Sequence, residues 1–240
     1  MPYRSLKDKV AIITGATSGI GLAIAQQLHE HGVKMILNGR NEEVLTQISQ
    51  ELKAIPVAGN LIHPSVPERL IDEALRHYQR CDFVISSAGM IEVGDIQTID
   101  VEKMADMVDI NVNAAYRLSY LAVRHFLNQN SGHLINISSV MGTKTRATAG
   151  AYSGTKFAIE ALSEALRMEL AKTPIGVTCI EPGLVMTNLH KNWKTHPSES
   201  MGIESPLTPR DVAQCVIFVL TQPSHVRIPK LMILPQGHEI

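Results

Sequence analysis

The stretch from Val10 to Gly21, VAIITGATSGIG, runs from an unbroken apolar segment straight into a glycine-rich turn. A short apolar run bounded by turn residues, Val10 to Ile13, reads as a strand buried on both faces. Beyond the turn, Ile20 to His31 carries a helical pattern that stops at Gly32, a good residue for a helix C-terminus. The order is therefore strand, turn, helix. Glycines at such a junction let backbone approach a ligand closely, and the free amides of the first helical turn favour negative charge, so the junction suits a pyrophosphate. Gly15, Gly19 and Gly21 are spaced Gly-x-x-x-Gly-x-Gly, which differs from the Gly-x-Gly-x-x-Gly dinucleotide fingerprint. Thr17, Ser18 and Ile20 complete the candidate cradle.

The same alternation continues outward. VKMILNGR reads as a second strand, NEEVLTQISQELK as a helix with Asn41 as N-cap, and AIPVAGN as a third strand. Pro67 to Gln79 is expected to be helical, CDFVISSAG a buried strand, Val101 to Asn128 one long helix, and GHLINISS a strand. Ala151 to Lys172 reads as another long helix and IGVTCIEPG as a strand. A polar, turn-rich segment from Thr187 to Leu207 comes next, then a helix from Pro209 to Leu220 and a last strand, KLMILP. Repeated strand and helix alternation predicts a parallel sheet with helices on both faces, a doubly wound α/β fold. No linker, low-complexity tract or repeat marks a second domain, so residues 1–240 are expected to form one domain with a distinct segment at about 187–207.

Composition bounds the partners. Lys plus Arg number 22 and Asp plus Glu 23 among 240 residues, a formal charge of −1, which argues against nucleic acid or a polybasic membrane surface. Cys81, Cys179 and Cys215 are far apart and odd in number, which reads as reduced thiols in a cytoplasmic protein. No apolar run approaches membrane-spanning length. The ten histidines lack metal-ligand spacing, so no metal is expected.

Two further patterns carry chemistry. In the dinucleotide fold a carboxylate at the end of the second strand holds the adenosine ribose hydroxyls of NAD, whereas an arginine accommodates the extra phosphate of NADP. Here the strand ends LNGR, with Arg40 and no acid, which favours NADP(H) over NAD(H); the alternative is a solvated loop charge paired with Glu42 or Glu43. In AYSGTKFAIEALSEAL, Tyr152 and Lys156 stand four apart, one helical turn, so phenol and ammonium share a face. A nearby cation favours phenolate, which suits proton transfer. Gly154 between them, inside a helix, points to a close approach of cofactor or backbone.

With TGATSGIG at one end, NISS ending at Ser139, and YSGTK from Tyr152 to Lys156, the chain resembles the short-chain dehydrogenase/reductases over nearly its whole length. DINVNAAY with Asn111, SSAG from Ser86 to Gly89, and EPGLVMT from Glu181 to Thr187 stand in family order. The resemblance implies a Rossmann fold and an enzyme that interconverts an alcohol and a carbonyl by hydride transfer with NADP(H). It implies Tyr152 as acid or base, Lys156 as the partner that lowers the phenol's pKa and grips the nicotinamide ribose, and Ser139 rather than Ser138 on the reacting oxygen. It implies Asn111 as holder of a water that relays protons to the lysine. It places Asn60, Leu61, Ser87, Ala88, Gly89 and Val185 beside the cofactor, and Pro182, Gly183 and Thr187 at the cofactor-facing entrance. The chain departs from the family pattern at Ser86 and Ser87, where two asparagines are common, and at Asn60, where an aspartate is common.

The resemblance also makes Thr187 to Leu207 a substrate-covering segment, with Trp193 between Lys191 and Lys194. These lysines, or Lys144 and Arg146, are candidates to bind a substrate carboxylate; the alternative is ordinary solvated charge. LTQPSHVRIPKLMILPQG resembles a subgroup that includes NADP-dependent 3-hydroxy acid and serine dehydrogenases, so small hydroxy acids lead as the small-molecule substrate class, with general carbonyl reduction next. A homo-tetramer or homo-dimer built on the Val101–Asn128 and Tyr152 helices is implied, unless both faces of those helices pack within one chain. A catalytically silent NADP(H)-binding sensor or scaffold is the alternative function.

Overall fold

The computed structural model describes residues 4–190, Trp193, Thr195 and residues 197–239. Its centre is a seven-stranded parallel sheet in the order β3-β2-β1-β4-β5-β6-β7. The strands are β1 (Val10–Ile13), β2 (Lys34–Gly39), β3 (Ile55–Ala58), β4 (Phe83–Ser86), β5 (Gly132–Ile137), β6 (Ile175–Pro182) and β7 (Lys230–Ile233). The helices are α1 (Gly19–Glu30), α2 (Glu42–Glu51), α3 (Ser65–Tyr78), α4 (Val101–Val108), α5 (Ala115–Gln129), α6 (Gly150–Glu169), α7 (Pro197–Ser200) and α8 (Pro209–Leu220). This is the doubly wound α/β fold expected from the sequence.

Two apolar layers arise from the two-residue period of the strands. Ala11 and Ile13 of β1 face one way, with Met35, Leu37, Ile85, Ile135 and Ile180, and pack under α1, α2 and α8. Val10 and Ile12 face the other way, with Ile36, Val84, Leu134 and Val177, and pack under α3, α5 and α6. Each large aliphatic side chain so buried contributes about 1.5–3 kcal/mol. Central strands such as β1 and β4, buried throughout, read as mostly continuous apolar runs, whereas β7 at the edge alternates.

Strand order reverses beside β1: the chain winds outward to β3 and then returns to place β4 on the other side. Neighbouring loops diverge at such a switch point and leave a crevice at the carboxyl ends of the strands. Local chemistry sets the helix ends that border it. Asn41 caps α2 by accepting from the Val44 N–H at 3.1 Å, and Thr208 and Asp211 form a capping box on α8 with Pro209 in the first turn. After α1, Gly32 adopts φ +73° and ends the helix where the sequence predicts.

The expected single helix from Val101 to Asn128 is a correction. It is α4 and α5 joined by a π-helical segment, Asp109–Ala114, with Asn111 inside it. One widened turn shifts the register of the residues downstream while leaving the apolar pattern intact, so side-chain periodicity does not report it. The expected helix from Ala151 to Lys172 runs from Gly150 to Glu169, and Pro67–Gln79 begins two residues earlier at Ser65.

Candidate active site

The crevice at the switch point has a volume of about 630 Å³, within the usual range for ligand pockets. Its floor is the glycine turn. Gly15 has φ +66°, and a Cβ there would lie 2.9 Å from the Ala88 Cα; a Cβ on Gly21 would collide with the Gly15 carbonyl. Only glycine fits this packing. At the head of α1, Ser18 makes no side-chain cap and the first turn carries no acid, so its amides and positive dipole end remain available to an anion. Thr17, Gly19 and Ile20 also line the crevice.

Residues that the sequence reading did not single out hold this floor in place. Thr14 Oγ1 accepts from the N–H groups of Ser87 and Ala88 at 3.0 and 3.1 Å, which ties the loop after β4 to the turn after β1. Buried Asn38 donates to the carbonyls of Val57 and Gly59 at 2.9 and 3.2 Å, fixing the ends of β2 and β3. Both are polar residues at strand ends, a signal the sequence carries but does not separate from ordinary turn composition. Arg40 is exposed at the far end of the crevice and has no ion-pair partner among the described residues, so the alternative pairing with Glu42 or Glu43 does not form. Asn60 and Leu61 line the same end, Asn60 accepting from the Ile62 N–H at 3.2 Å.

At the opposite end the crevice reaches Tyr152 and Lys156, both buried. Tyr152 stands beside Ser139, whose hydroxyl holds the phenol's pKa down and accepts from the Met141 N–H at 3.2 Å. Ser138 Oγ is instead buried without a partner. Ser139 thus stands beside the phenol, while Ser138 is the serine that lines the crevice.

Lys156 Nζ donates to the Ile137 carbonyl at 3.0 Å and lies 5.8 Å from the centre of the Tyr152 ring. Burial pulls the ammonium down to about 8, opposed by Cys179 and Glu160. Burial pushes the Tyr152 phenol up to about 12, opposed by the Ser139 hydrogen bond. The expected lowering of the phenol by Lys156 is therefore a correction: the ammonium is turned toward β5, and desolvation dominates.

Other expected residues are placed as follows. The Asn111 carboxamide bonds to groups other than Lys156. It accepts from the Met90 N–H at 2.9 Å and donates to the Met90 carbonyl at 2.9 Å and to Thr155 Oγ1 at 3.2 Å. It is committed to bracing the loop that contains Gly89 against α6. Gly154 makes no close approach, because a Cβ there meets nothing within 4 Å; two residues beyond Tyr152, it lies on the exposed side of the helix. Of the expected entrance residues and Val185, Thr187 lines the crevice. Val185 is buried in the core and bridges Leu207, while Pro182 ends β6 and Gly183 packs against the His238 ring. Lys191 and Lys194 lie outside the described residues.

The sequence profile of the short chain dehydrogenase family matches residues 9–198. The chain belongs to that family. The short-chain dehydrogenase relatives include an uncharacterized oxidoreductase of Staphylococcus aureus strain MW2, 37% identical over 235 residues and covering 96% of this chain and 98% of its own. One from Staphylococcus epidermidis is 35% identical over 232 residues with the same coverage. Among solved structures, the closed form of a serine dehydrogenase complexed with NADP+ superposes with a TM-score of 0.88 at 28% identity, covering 96% of both chains. Serine dehydrogenase from Escherichia coli gives 0.85 at 28% identity, covering 96% of this chain and all of that one. This short-chain dehydrogenase is thus an oxidoreductase with a nucleotide cofactor site, and no described helix is long and apolar enough to cross a membrane.

Proposed function

We propose that the protein interconverts an alcohol and a carbonyl with NADP(H), acting on a small hydroxy acid or its carbonyl partner. The observation that carries this reading is the convergence of Tyr152 and Lys156, with Ser139 beside the phenol, at one end of a crevice whose other end is a glycine-floored anion cradle bordered by Arg40. When bound, the dinucleotide supplies the hydride. The protein's part is acid–base and positional. In reduction Tyr152 donates its proton to the substrate oxygen; in oxidation it takes that proton back. A phenol near 12 remains protonated at neutral pH and is suited to donation; the approach of a cation is what favours release. Ser139 orients the reacting oxygen beside Tyr152, and Lys156 holds the ribose hydroxyls.

NADP(H) is favoured over NAD(H) because Arg40 leaves its planar, permanently charged guanidinium free for a phosphate, with no acid nearby at Asn38 or Gly39. The serine dehydrogenase complexed with NADP+ supports the same preference. For the substrate, Lys144 and Arg146 sit on the exposed turn between Ser139 and Tyr152. The Arg146 charge reaches His238, which burial first and Arg146 second hold below the usual histidine range, so this cation stands near the C-terminal segment. We assign the carboxylate of the substrate to this side.

Residues 187–207 are the covering segment of a single domain. Both ends are pinned, by Met186 N–H to the Leu207 carbonyl at 2.8 Å and Leu207 N–H to the Leu184 carbonyl at 3.0 Å, and the excursion between them carries Asn188–His190 and α7. The protein acts in the cytoplasm as a homo-tetramer or homo-dimer, with α5 and α6 as the contact: they expose Tyr120, Leu127, Phe157 and Met168.

The test is turnover of paired acidic and neutral carbonyl compounds with NADPH and NADH. Preference for NADPH and for the acids supports the proposal. NADPH binding without reduction of any carbonyl would move the reading to a binding-only sensor.

A further inference from the structure

Behind Lys156 the protein buries an acidic cluster that hydride transfer does not use. Glu160 lies one turn beyond Lys156 on the inward face of α6, and Glu181 stands beside it on β6; their side chains are 7% and 3% exposed. Lys230 of β7 reaches over both, its Nζ 2.9 Å from Glu160 Oε2 and 3.6 Å from Glu181 Oε1. Apart from Lys230, the Cys179 thiol and each other, both Glu160 oxygens and Glu181 Oε1 have no hydrogen-bond partner among the described residues. The turn after β5 seals the cluster: a Cβ on Gly142 would lie 2.9 Å from Glu160 Cγ and 3.2 Å from the Lys156 carbonyl. Two buried carboxyls against one half-exposed ammonium leave acid in excess where an unpaired carboxylate is costly.

The groups facing Lys156 come from three elements. Its own helix supplies Tyr152 and Glu160, β6 supplies Cys179, and β5 supplies the Ile137 carbonyl. The Cys179 thiol, driven far up by burial and donating to Ser163 Oγ at 3.1 Å, is neutral. Tyr152 is neutral as well. Glu160 is the one carboxyl in this set, with Lys230 and Glu181 against it in turn and Glu164 near Lys230.

We propose that Glu160, held by Lys230 and Glu181, is a positioning residue that keeps Lys156 cationic, its carboxylate offsetting the desolvation of the buried ammonium from one helical turn away. The proposal rests on the ribose-holding role of Lys156. It makes β7 part of the site's electrostatics although no atom of that strand lines the crevice.

The test is the titration of Lys156 in the full-length protein carrying 13Cε-labelled lysine, with Lys156→Arg to assign the signal. Glu160→Gln and Glu160→Met both delete the charge but pack differently, so a shift common to both is electrostatic. The expected result is a Lys156 midpoint lower by about one pH unit in each. The limb of the kcat/KM profile that belongs to Lys156 is expected to move with it, leaving the plateau within about twofold. A midpoint within about 0.2 of wild type in either folded variant overturns the proposal. Because the NMR titration needs neither substrate nor cofactor, an inactive wild-type enzyme would refute the proposed function while leaving this result to stand.

Discussion

Replacing Lys156 with methionine is expected to stabilise the protein while abolishing its activity. The fall of the ammonium from 10.5 to about 8 measures what burial costs the charged form; at about 1.4 kcal/mol per pH unit, it corresponds to about 3 kcal/mol at neutral pH. The native state binds fewer protons than the unfolded chain between those two values, so stability rises with pH from about 8 to 10.5, and the cost is complete below 8. Methionine removes the charge at similar length. It also removes the bond to the Ile137 carbonyl, leaving an acceptor short of a partner at a cost of about 1–2 kcal/mol. The net gain is about 1–2 kcal/mol, or roughly 2–8 °C in Tm for a chain of this size. Thermal melts followed by circular dichroism at pH 7 and pH 10 test it: the gain should be present at pH 7 and mostly gone at pH 10. A Tm that falls equally at both pH values would refute the argument that Lys156 is held against a desolvation penalty.

The remaining predictions are readable with standard assays. Gly15→Ala places a methyl 2.9 Å from the Ala88 backbone at φ +66°, so cofactor binding measured by nicotinamide fluorescence should weaken at least tenfold, with loss of about 1–3 kcal/mol of stability. Arg40→Ala should raise the KM for NADPH about tenfold and leave that for NADH within about twofold, the loss expected when one charge-assisted phosphate contact is removed. Glu181 is pushed up to about 7 by burial first and Glu160 second. The folded protein then holds a proton that the unfolded chain has released, and stability should fall by about 1 kcal/mol as pH rises from 4.5 to 7, discounted for the half-exposed Lys230. Glu181→Gln should flatten that slope in urea titrations.

The sheet was legible because strands buried on both faces are mostly apolar, continuously so in Val10–Ile13, whereas Ile175–Pro182 is fully buried yet carries Thr178 and Glu181. The glycine cradle was legible for a related reason: Gly15 and Gly21 sit where backbone meets backbone, a need that no other residue satisfies. Gly154 shows the limit of that logic, since a helical glycine on an exposed face has the same letter and no such contact. The π-helical segment at Asp109–Ala114 was not legible, because one widened turn changes direction without changing which residues are apolar. Asn111, Thr14 and Asn38 act through backbone groups 21, 73 and 19 residues away, and no local pattern encodes those partners. The Glu160, Glu181 and Lys230 cluster joins a helix to two strands and exists only once the sheet is assembled.

The central claim is that Tyr152 transfers the proton that accompanies hydride transfer. NADPH oxidation, followed optically with the purified protein and its best carbonyl substrate, tests it against Tyr152→Phe, with NADPH affinity measured in parallel. The account predicts a loss of at least 10²-fold in kcat with cofactor affinity nearly unchanged, since the substitution removes one hydroxyl and the positioned acid it provides. A Tyr152→Phe protein that turns over at the wild-type rate would contradict it.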